Sequence, residues 1–420
     1  MLLTITIILF VLIIIIDVVH YGALYLFLQG IRRNEWSTPS GEFVPKTMVL
    51  LTLRGVDPFL KRCLEGLLTQ DYPNYTIRLI VDHPEDSALN VAKEIVEVHH
   101  ADNVEFIVVD EHFETCTLKC NSLYHAVASL DLSYEVVVIL DADTNPHQGW
   151  LRQLVEPLSD SRFAAATGQR WYIPDTPNSG SLVRYLWNAA AVVQLYLYRI
   201  AWGGSLALRR DLFTQGNLLD SWKTAFTDDA AISESIKRVG SKTAFVPSLF
   251  MVNRETCTLQ SFHRWVKRQL LCAKLHHPAW NAVAFQGILI TLPLLTCIGL
   301  LVTGFLFWEK SLIYWNLGSL AIYWGGVFGT LPIMEQAIRK LLRQRGEPLK
   351  RWTIGTTVRV LSLIPVTQIV YTSALIQLYF LHRVEWRGVE YEIGPGKQVR
   401  LIEYKPYKDH DHTENNAQSI

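Results

Sequence analysis

Two carboxylates, one residue apart, end a run of five apolar residues: Asp141 and Asp143 follow Val136–Leu140 in the stretch EVVVILDADTNP. Carboxylates at the end of a buried strand are costly to desolvate unless a cation offsets them. Magnesium and manganese prefer oxygen ligands and typically take one or two protein carboxylates completed by substrate phosphates. In an extended segment both side chains point to the same side, so the pair is placed to hold such an ion with a diphosphate. Plain loop carboxylates share this spacing, and the rest of the chain decides between the readings.

Two more groups carry chemistry. In AFTDDAAISESIKRVG, Thr227 or Asp228 can cap a helix, and adjacent carboxylates at a helix start complement its dipole. A carboxylate at a site mouth is also what a general base for a hydroxyl needs. LQSFHRWVKRQLLCAKLHH is a basic amphipathic helix with Arg264, Lys267, Arg268 and Lys274 as cations and Phe262, Trp265, Val266, Leu270 and Leu271 as its apolar side. It suits rest on anionic lipid, and it can also offer an arginine to a diphosphate.

The elements that must position these groups alternate between strand and helix from about Pro45 to Pro278. KTMVLLTL, TIRLIVD, VEFIVVD and EVVVILD read as strands. DPFLKRCLEGLLTQ reads as a helix, with Asp57 as N-cap, Pro58 in the first turn and Leu60, Leu64, Leu67 and Leu68 on one face. SALNVAKEIVEVHH and about Lys119 to Leu130 supply two more helices. Such alternation predicts a mostly parallel sheet covered on both faces. Its ligands gather at the carboxyl ends of the strands, where Asp82, Asp110, Asp141 and Asp143 all fall.

The 420 residues carry a formal net charge of zero, so no global field points to nucleic acid, and 50% are hydrophobic. That excess is concentrated in Leu2–Leu28, Ala282–Phe307 and Ser311–Ile333, with a less clean run at Val360–Leu381. Each approaches the ~20 residues that span a bilayer. The first run lacks a preceding basic residue and a small-residue cleavage site, and reads as an uncleaved anchor. Asp17 and His20 inside it suit pairing with another segment, or a headgroup or proton role. Arg32 and Arg33, with the Arg339–Arg351 cluster, place the polar middle in the cytoplasm. Four spans would put the tail outside, whereas VEWRGVEY and its basic neighbours look cytoplasmic. Arg359 and Pro365 interrupt the last apolar run, so a shallow or re-entrant hairpin is the other reading. Six scattered cysteines show no metal-ligand spacing.

The order of pieces resembles the membrane-bound glycosyltransferases of family 2, most closely their ceramide glucosyltransferase-like branch. RGVDPFLKRCLEGLLTQDYPNYTIRLIVDHPEDSA, LKCNSLYHAV, LDADT, GGSLALRRDLF, FTDDAAIS, HRW and VEWRGVEY follow in that family's order over nearly the whole chain. The resemblance implies an α/β, GT-A-type (Rossmann-like), mostly parallel sheet domain with transmembrane and interfacial helices. Its parts would be an anchor over 1–30, a cytoplasmic catalytic domain over 45–257, an interfacial helix over 258–278, membrane helices over 281–381 and a polar tail over 382–420.

By the same resemblance, Thr52, Arg54, Gly55 and Asp82 hold the uridine of a UDP-sugar, and Lys119 and Asn121 lie near the nucleotide-sugar. Asp143, helped by Asp141, binds Mn2+ or Mg2+ on the diphosphate. Gly204, Ser205 and Trp265 border the acceptor, Asp229 is the base, and Arg264 neutralises the departing UDP. Two positions depart from the family: Ser261 replaces the Gln or Arg of the last motif, and Thr-Asp-Asp replaces the commoner Glu-Asp pair. The implied reaction is inverting transfer to the hydroxyl of a ceramide- or diacylglycerol-like lipid in a plasma or internal membrane. A processive polysaccharide synthase is the first alternative, although it usually has an intact Gln-x-x-Arg-Trp motif and more spans. A catalytically inactive nucleotide-sugar-binding membrane protein is the second.

Overall fold

In the computed structural model, which describes residues 1–33 and 42–407, the alternation of strands and helices becomes a seven-stranded sheet. The chain runs through α1 (Leu2–Arg33), β1 (Thr47–Leu53), α2 (Leu60–Leu68), β2 (Tyr75–Val81), α3 (Ser87–Val98), β3 (Val104–Val108), α4 (Leu118–Ala128) and β4 (Val136–Leu140). It continues through α5 (Trp150–Val155), β5 (Phe163–Tyr172), α6 (Ser179–Tyr198), β6 (Ser205–Arg209), α7 (Asp211–Thr214), α8 (Leu218–Trp222), α9 (Asp228–Arg238) and β7 (Lys242–Asn253). The strand order is β3-β2-β1-β4-β6-β5-β7. Only β6 runs against its neighbours, antiparallel to both β4 and β5. This is a GT-A-type sheet, with β4 at its centre and buried along its whole length.

Local chemistry sets the helix starts. Asp86 and Thr117 cap α3 and α4 by accepting the N–H groups of Ala88 and Cys120. Asp57, expected as an N-cap, instead closes a turn: its carboxylate accepts from Phe59 N–H and its carbonyl from Leu60 N–H, so α2 begins at Leu60. The far ends of β5 and β7 leave the sheet core, and Trp171, Tyr172, Phe250 and Val252 join the core shared with the membrane helices.

That second layer adds α10 (Leu259–His276), α11 (Trp280–Phe307), α12 (Lys310–Gln344), α13 (Ile354–Ser362) and α14 (Ile364–Tyr379). Helix α6 lies across its top. The Tyr185 hydroxyl donates to Glu335 on α12 at 2.8 Å, while Tyr196 packs edge-on to Phe27 on α1. Helices α1 and α12 meet closely at Gly326, where a β-carbon would lie 2.6 Å from either carboxylate oxygen of Asp17. Asp17 therefore packs against a neighbouring helix, and only glycine leaves it room.

Four helical segments are long and apolar enough to cross a bilayer, and the last is divided at Leu363 into two shorter helices. It starts beside Trp352, whose ring meets Tyr185 at 5.2 Å, and ends at Leu378, whose carbonyl accepts from Lys274 on α10 at 3.0 Å. Both contacts lie on the catalytic side. The 9 residues of α13 and 16 of α14 rise about 13 Å and 24 Å, each short of the ~30 Å hydrocarbon core. Neither α13 nor α14 is therefore long enough to cross alone, and the two ends of the pair contact α6 and α10, as the re-entrant hairpin reading of Arg359 and Pro365 requires.

Where a polar tail was expected from 382, the chain forms an antiparallel three-stranded sheet of β8 (Arg383–Trp386), β9 (Val389–Ile393) and β10 (Val399–Glu403). Alternating apolar residues explain it: Val389, Tyr391, Val399 and Leu401 bury one face. Residues 408–420 of the expected tail lie outside the described residues.

Candidate active site

A pocket of about 190 Å³ opens at the carboxyl ends of β1, β2 and β4. Six carboxylates and five cations line it: Asp57, Asp82, Asp141, Asp143, Asp228 and Asp229 against Arg54, Lys119, Arg170, Arg268 and Arg387. Segments following the strands and the start of α9 supply the acids; the end of β1, α4, β5, α10 and the C-terminal sheet supply the cations.

Beyond Leu140 the chain turns, because Thr144 donates both N–H and hydroxyl to the Asp141 carbonyl. Asp141 and Asp143 therefore sit in a turn rather than in the extended segment expected, yet they still converge. Arg170 on β5 bridges them, at 3.3 Å from Asp141 and 3.5 Å from Asp143. Lys119 at the start of α4 joins Asp141 (2.7 Å) to Asp228 (3.1 Å). Burial opposes ionisation of Asp141, but Lys119 and Arg170 outweigh it and hold the carboxyl below its usual range. Burial raises Asp143, with Arg170 offsetting only part of the cost. Burial also pushes Asp228 up to about 6, despite Lys119.

The donor set suits a hard divalent ion whose shell is completed by a ligand. Asp143 Oδ2 accepts from Asn253 at 3.2 Å, while its buried Oδ1 has no hydrogen-bond partner among the described residues. Among those residues no group of three or more His, Cys, Asp or Glu could enclose a metal on its own. Two carboxylates plus phosphate oxygens is the pattern magnesium and manganese use.

At the other end of the pocket, Asp82 is 4% exposed and ion-paired with Arg54. Its Oδ1 is buried without a hydrogen-bond partner among the described residues. Burial raises its carboxyl, with Arg54 working against the shift. Gly55 takes a positive φ of 69° and gives its N–H to Asp86, turning the chain out of β1. The C-terminal sheet closes this end. Its β8–β9 connection, Arg387-Gly388, has positive φ at both residues, as a tight two-residue hairpin requires. The turn aims Arg387 at Asp57 (3.1 Å), its carbonyl accepts from Arg54 at 2.9 Å, and Trp386 lines the wall. Tyr404 stacks on His112 and donates its hydroxyl to the Asp82 carbonyl.

The acidic pair at the start of α9 splits in character. Asp228 is buried on Lys119, whereas Asp229 is partly exposed to the pocket and accepts from Gly203 N–H at 3.0 Å. Gly203 and Gly204 let β6 enter between these groups; a β-carbon on Gly204 would strike the Trp202 ring and lie 2.8 Å from Asp141 Oδ2.

Helix α10 forms the floor with Trp265, Arg268, Gln269 and Cys272. Arg268 lies 4.6 Å from the centre of the Trp386 ring, and its buried Nη1 has no hydrogen-bond partner among the described residues. Burial pulls its pKa down to about 10, so it stays cationic at neutral pH.

The structure brings Thr52, Arg54, Gly55, Asp82, Lys119, Asp141, Asp143, Asp229 and Trp265 to one pocket. Three expected residues stand apart from it. Asn121 is buried and ties down the 111–113 loop, donating to Glu111 carbonyl and accepting from Phe113 N–H. Ser205 lies beneath, accepting from the Trp150 indole at 2.9 Å. Arg264 is on the exposed face of α10, and Arg268, one turn further along, is the arginine of α10 that lines the pocket. Gly204 borders the pocket only through its neighbours Trp202 and Asp141. Arg170 and Arg387 had no sequence signal as cations of the site, although VEWRGVEY marked the segment that holds Arg387.

A family model described as glycosyl transferase family 21 matches residues 9–399. A ceramide glucosyltransferase of Komagataella phaffii is 24% identical over 153 residues, which are 36% of this chain and 29% of the relative. The chain thus spans about three-tenths of the length of that curated relative. Among solved structures, a mannosyltransferase of Pyrobaculum calidifontis in complex with GDP-Man and Mn2+ is 17% identical with a TM-score of 0.48, covering 89% of this chain and 99% of that one. A glucosyl-3-phosphoglycerate synthase of Mycobacterium tuberculosis in complex with Mn2+ and uridine-diphosphate-glucose is 14% identical with a TM-score of 0.35, covering 54% and 78%.

Proposed function

Because the chain belongs to glycosyl transferase family 21, we propose that it moves a sugar from a UDP-sugar to the hydroxyl of a membrane lipid, with inversion at the anomeric carbon. One observation carries the reading: the carboxylate pair of Asp141 and Asp143, the separate acid Asp229 and the cation Arg268 face one pocket whose floor, α10, rests on the membrane helices.

Asp143 and Asp141 would hold Mn2+ or Mg2+, which neutralises charge on the diphosphate. A doubly charged diphosphate and a divalent ion add no net charge to this nearly balanced pocket. Asp82 Oδ1 accepts from the base, and Arg54 fixes the Asp82 carboxylate. Lys119 holds Asp141 and Asp228 apart from competing partners. Arg268, with an uncommitted Nη1, stabilises charge developing on the leaving UDP. Asp229 takes the acceptor proton; it is partly exposed to the pocket, and among the described residues no cation is ion-paired with it, which leaves it free to reach a hydroxyl. A single base opposite the leaving group gives direct displacement, so an α-linked donor yields a β-linked glycoside.

The floor of α10 and the adjoining spans suit an acceptor whose hydroxyl sits at the bilayer surface, ceramide- or diacylglycerol-like. The basic clusters Arg32–Arg33 and Arg339–Arg351 support a cytoplasmic catalytic side.

The test is a transfer assay in membranes, with a panel of UDP-sugars, total lipid extract, and manganese or magnesium against chelator, read by mass spectrometry. A metal-dependent monoglycosylated lipid that disappears in Asp143→Asn and Asp229→Asn is expected. A long polymer, an α-linkage, or donor binding without turnover would overturn the reading.

A further inference from the structure

Under the roof made by α6 and α10 lies a second cavity of about 380 Å³, twice the volume of the charged pocket. Its walls are α1, α11, α12 and α14. The lining runs from Leu12 to Leu24 on α1 and from Tyr323 to Met334 on α12, stretches that rise about 16–18 Å along the span direction. Leucine, isoleucine, valine and alanine dominate it. Polar side chains reach it too, but many are already spent inside the protein: Tyr198 bonds Gln286, Gln368 bonds Tyr323, and Thr330 and Thr367 bond carbonyls of their own helices.

Three features tie this cavity to the reaction rather than to lipid packing in general. Helix α10 borders both spaces, with Leu270 below and Trp265, Arg268 and Gln269 above. Trp187, which lines the cavity, meets Trp265, which lines the charged pocket, at 5.2 Å. Tyr198, at the end of α6, lines the cavity four residues before Trp202 lines the pocket. A slot of this kind within a bilayer takes hydrocarbon: a polar ligand would find too few partners to repay its desolvation.

We infer that the cavity holds a hydrocarbon chain of the acceptor lipid, whose hydroxyl passes the Trp187–Trp265 pair to reach the charged pocket. The inference rests on the lipid-acceptor reading above and adds to it that chain length is a specificity determinant read inside the membrane.

Ala190 on α6 lines the cavity without touching the charged pocket, so Ala190→Trp fills it from above. Transfer to a long-chain N-acyl amino-alcohol or diacylglycerol acceptor falls about tenfold or more, the discrimination a few methylenes give in an apolar pocket. Transfer to a short-chain, water-dispersible acceptor stays near the parent rate. Equal rates for the two acceptors in the variant, whether lowered or unchanged, overturn the inference. Photolabelling the unmodified enzyme covers the case of a misfolded variant. A long-chain acceptor with a photoreactive tail marks peptides from Leu12–Leu24, Leu186–Tyr198 and Tyr323–Met334. Labels confined to the lipid-facing residues Phe285, Ile288 and Leu292 overturn it. No transfer by the parent to either acceptor would instead sink the acceptor reading, while the labelling still reports whether the cavity is occupied.

Discussion

The two sides of α10 solve opposite problems with one helix. Above it, a small pocket concentrates six carboxylates and five cations; below it, a larger cavity is mostly hydrocarbon. Burying charge is affordable only where each group has an opposite partner or a ligand to meet, and among the described residues the upper side leaves five such atoms waiting: Asp82 Oδ1, Asp143 Oδ1, Asp228 Oδ2, Arg170 Nε and Arg268 Nη1. The lower side offers shape and little else. On the proposed function, the difference assigns selectivity for the donor to electrostatics and selectivity for the acceptor to length and width.

Removing charge above α10 should therefore cost far more activity than changing volume below it. Asp143→Asn is the most severe break, lowering transfer about 10³-fold, with donor-dependent metal binding lost by calorimetry and the fold intact by circular dichroism. Asp229→Asn follows, at roughly 10²-fold or somewhat more in the maximal rate, with donor affinity little changed. A substantial fall in donor affinity would move Asp229 from base to ligand. Next comes a contrast within one helix: Arg268→Ala lowers the rate about 10²-fold, and Arg264→Ala, on the exposed face, leaves it within a factor of ~2, since exposed substitutions rarely matter. Equal effects would show that the two arginines share the leaving group. The smallest effect on chemistry is expected at Arg184→Met, which breaks a buried pair with Glu255 outside both spaces. Arg184 and Glu255 are 1% and 5% exposed. Stability drops by about 3–5 kcal/mol, seen as a lower unfolding midpoint, while surviving enzyme keeps its turnover.

Much of this was legible before any coordinates. Periodicity gave the strands, and length and composition gave the membrane segments. The rule that ligands gather at strand ends put Asp82, Asp141 and Asp143 together. What stayed hidden depends on strand order. Arg170 looks like any charged residue in a strand; it meets the metal-type carboxylates only because the antiparallel β6 brings β5 close to the end of β4. The choice between Arg264 and Arg268 turns on helix phase: Phe262, Trp265 and Val266 bury one side of α10 and leave Arg264 outside. Asn121 fits its motif but spends both ends of its amide on the backbone of a neighbouring loop, a partner no local pattern announces. The last apolar run carries two readings in sequence, a span or a re-entrant hairpin, and the contacts at Trp352 and Leu378 that favour the hairpin are long-range.

The hairpin turn at Arg387-Gly388 also dictates an order of events during synthesis. Arg54 donates to the Arg387 carbonyl across 333 positions of sequence, a contact whose loop-closure entropy is met late and slowly. The sheet, both carboxylate pairs and all the spans are made before that turn emerges. A nascent chain stalled after α14 would carry most of the catalytic groups and yet lack Trp386, Arg387 and Tyr391 from the wall of its pocket. The pocket wall is therefore completed only once the segment holding Trp386, Arg387 and Tyr391 has been made.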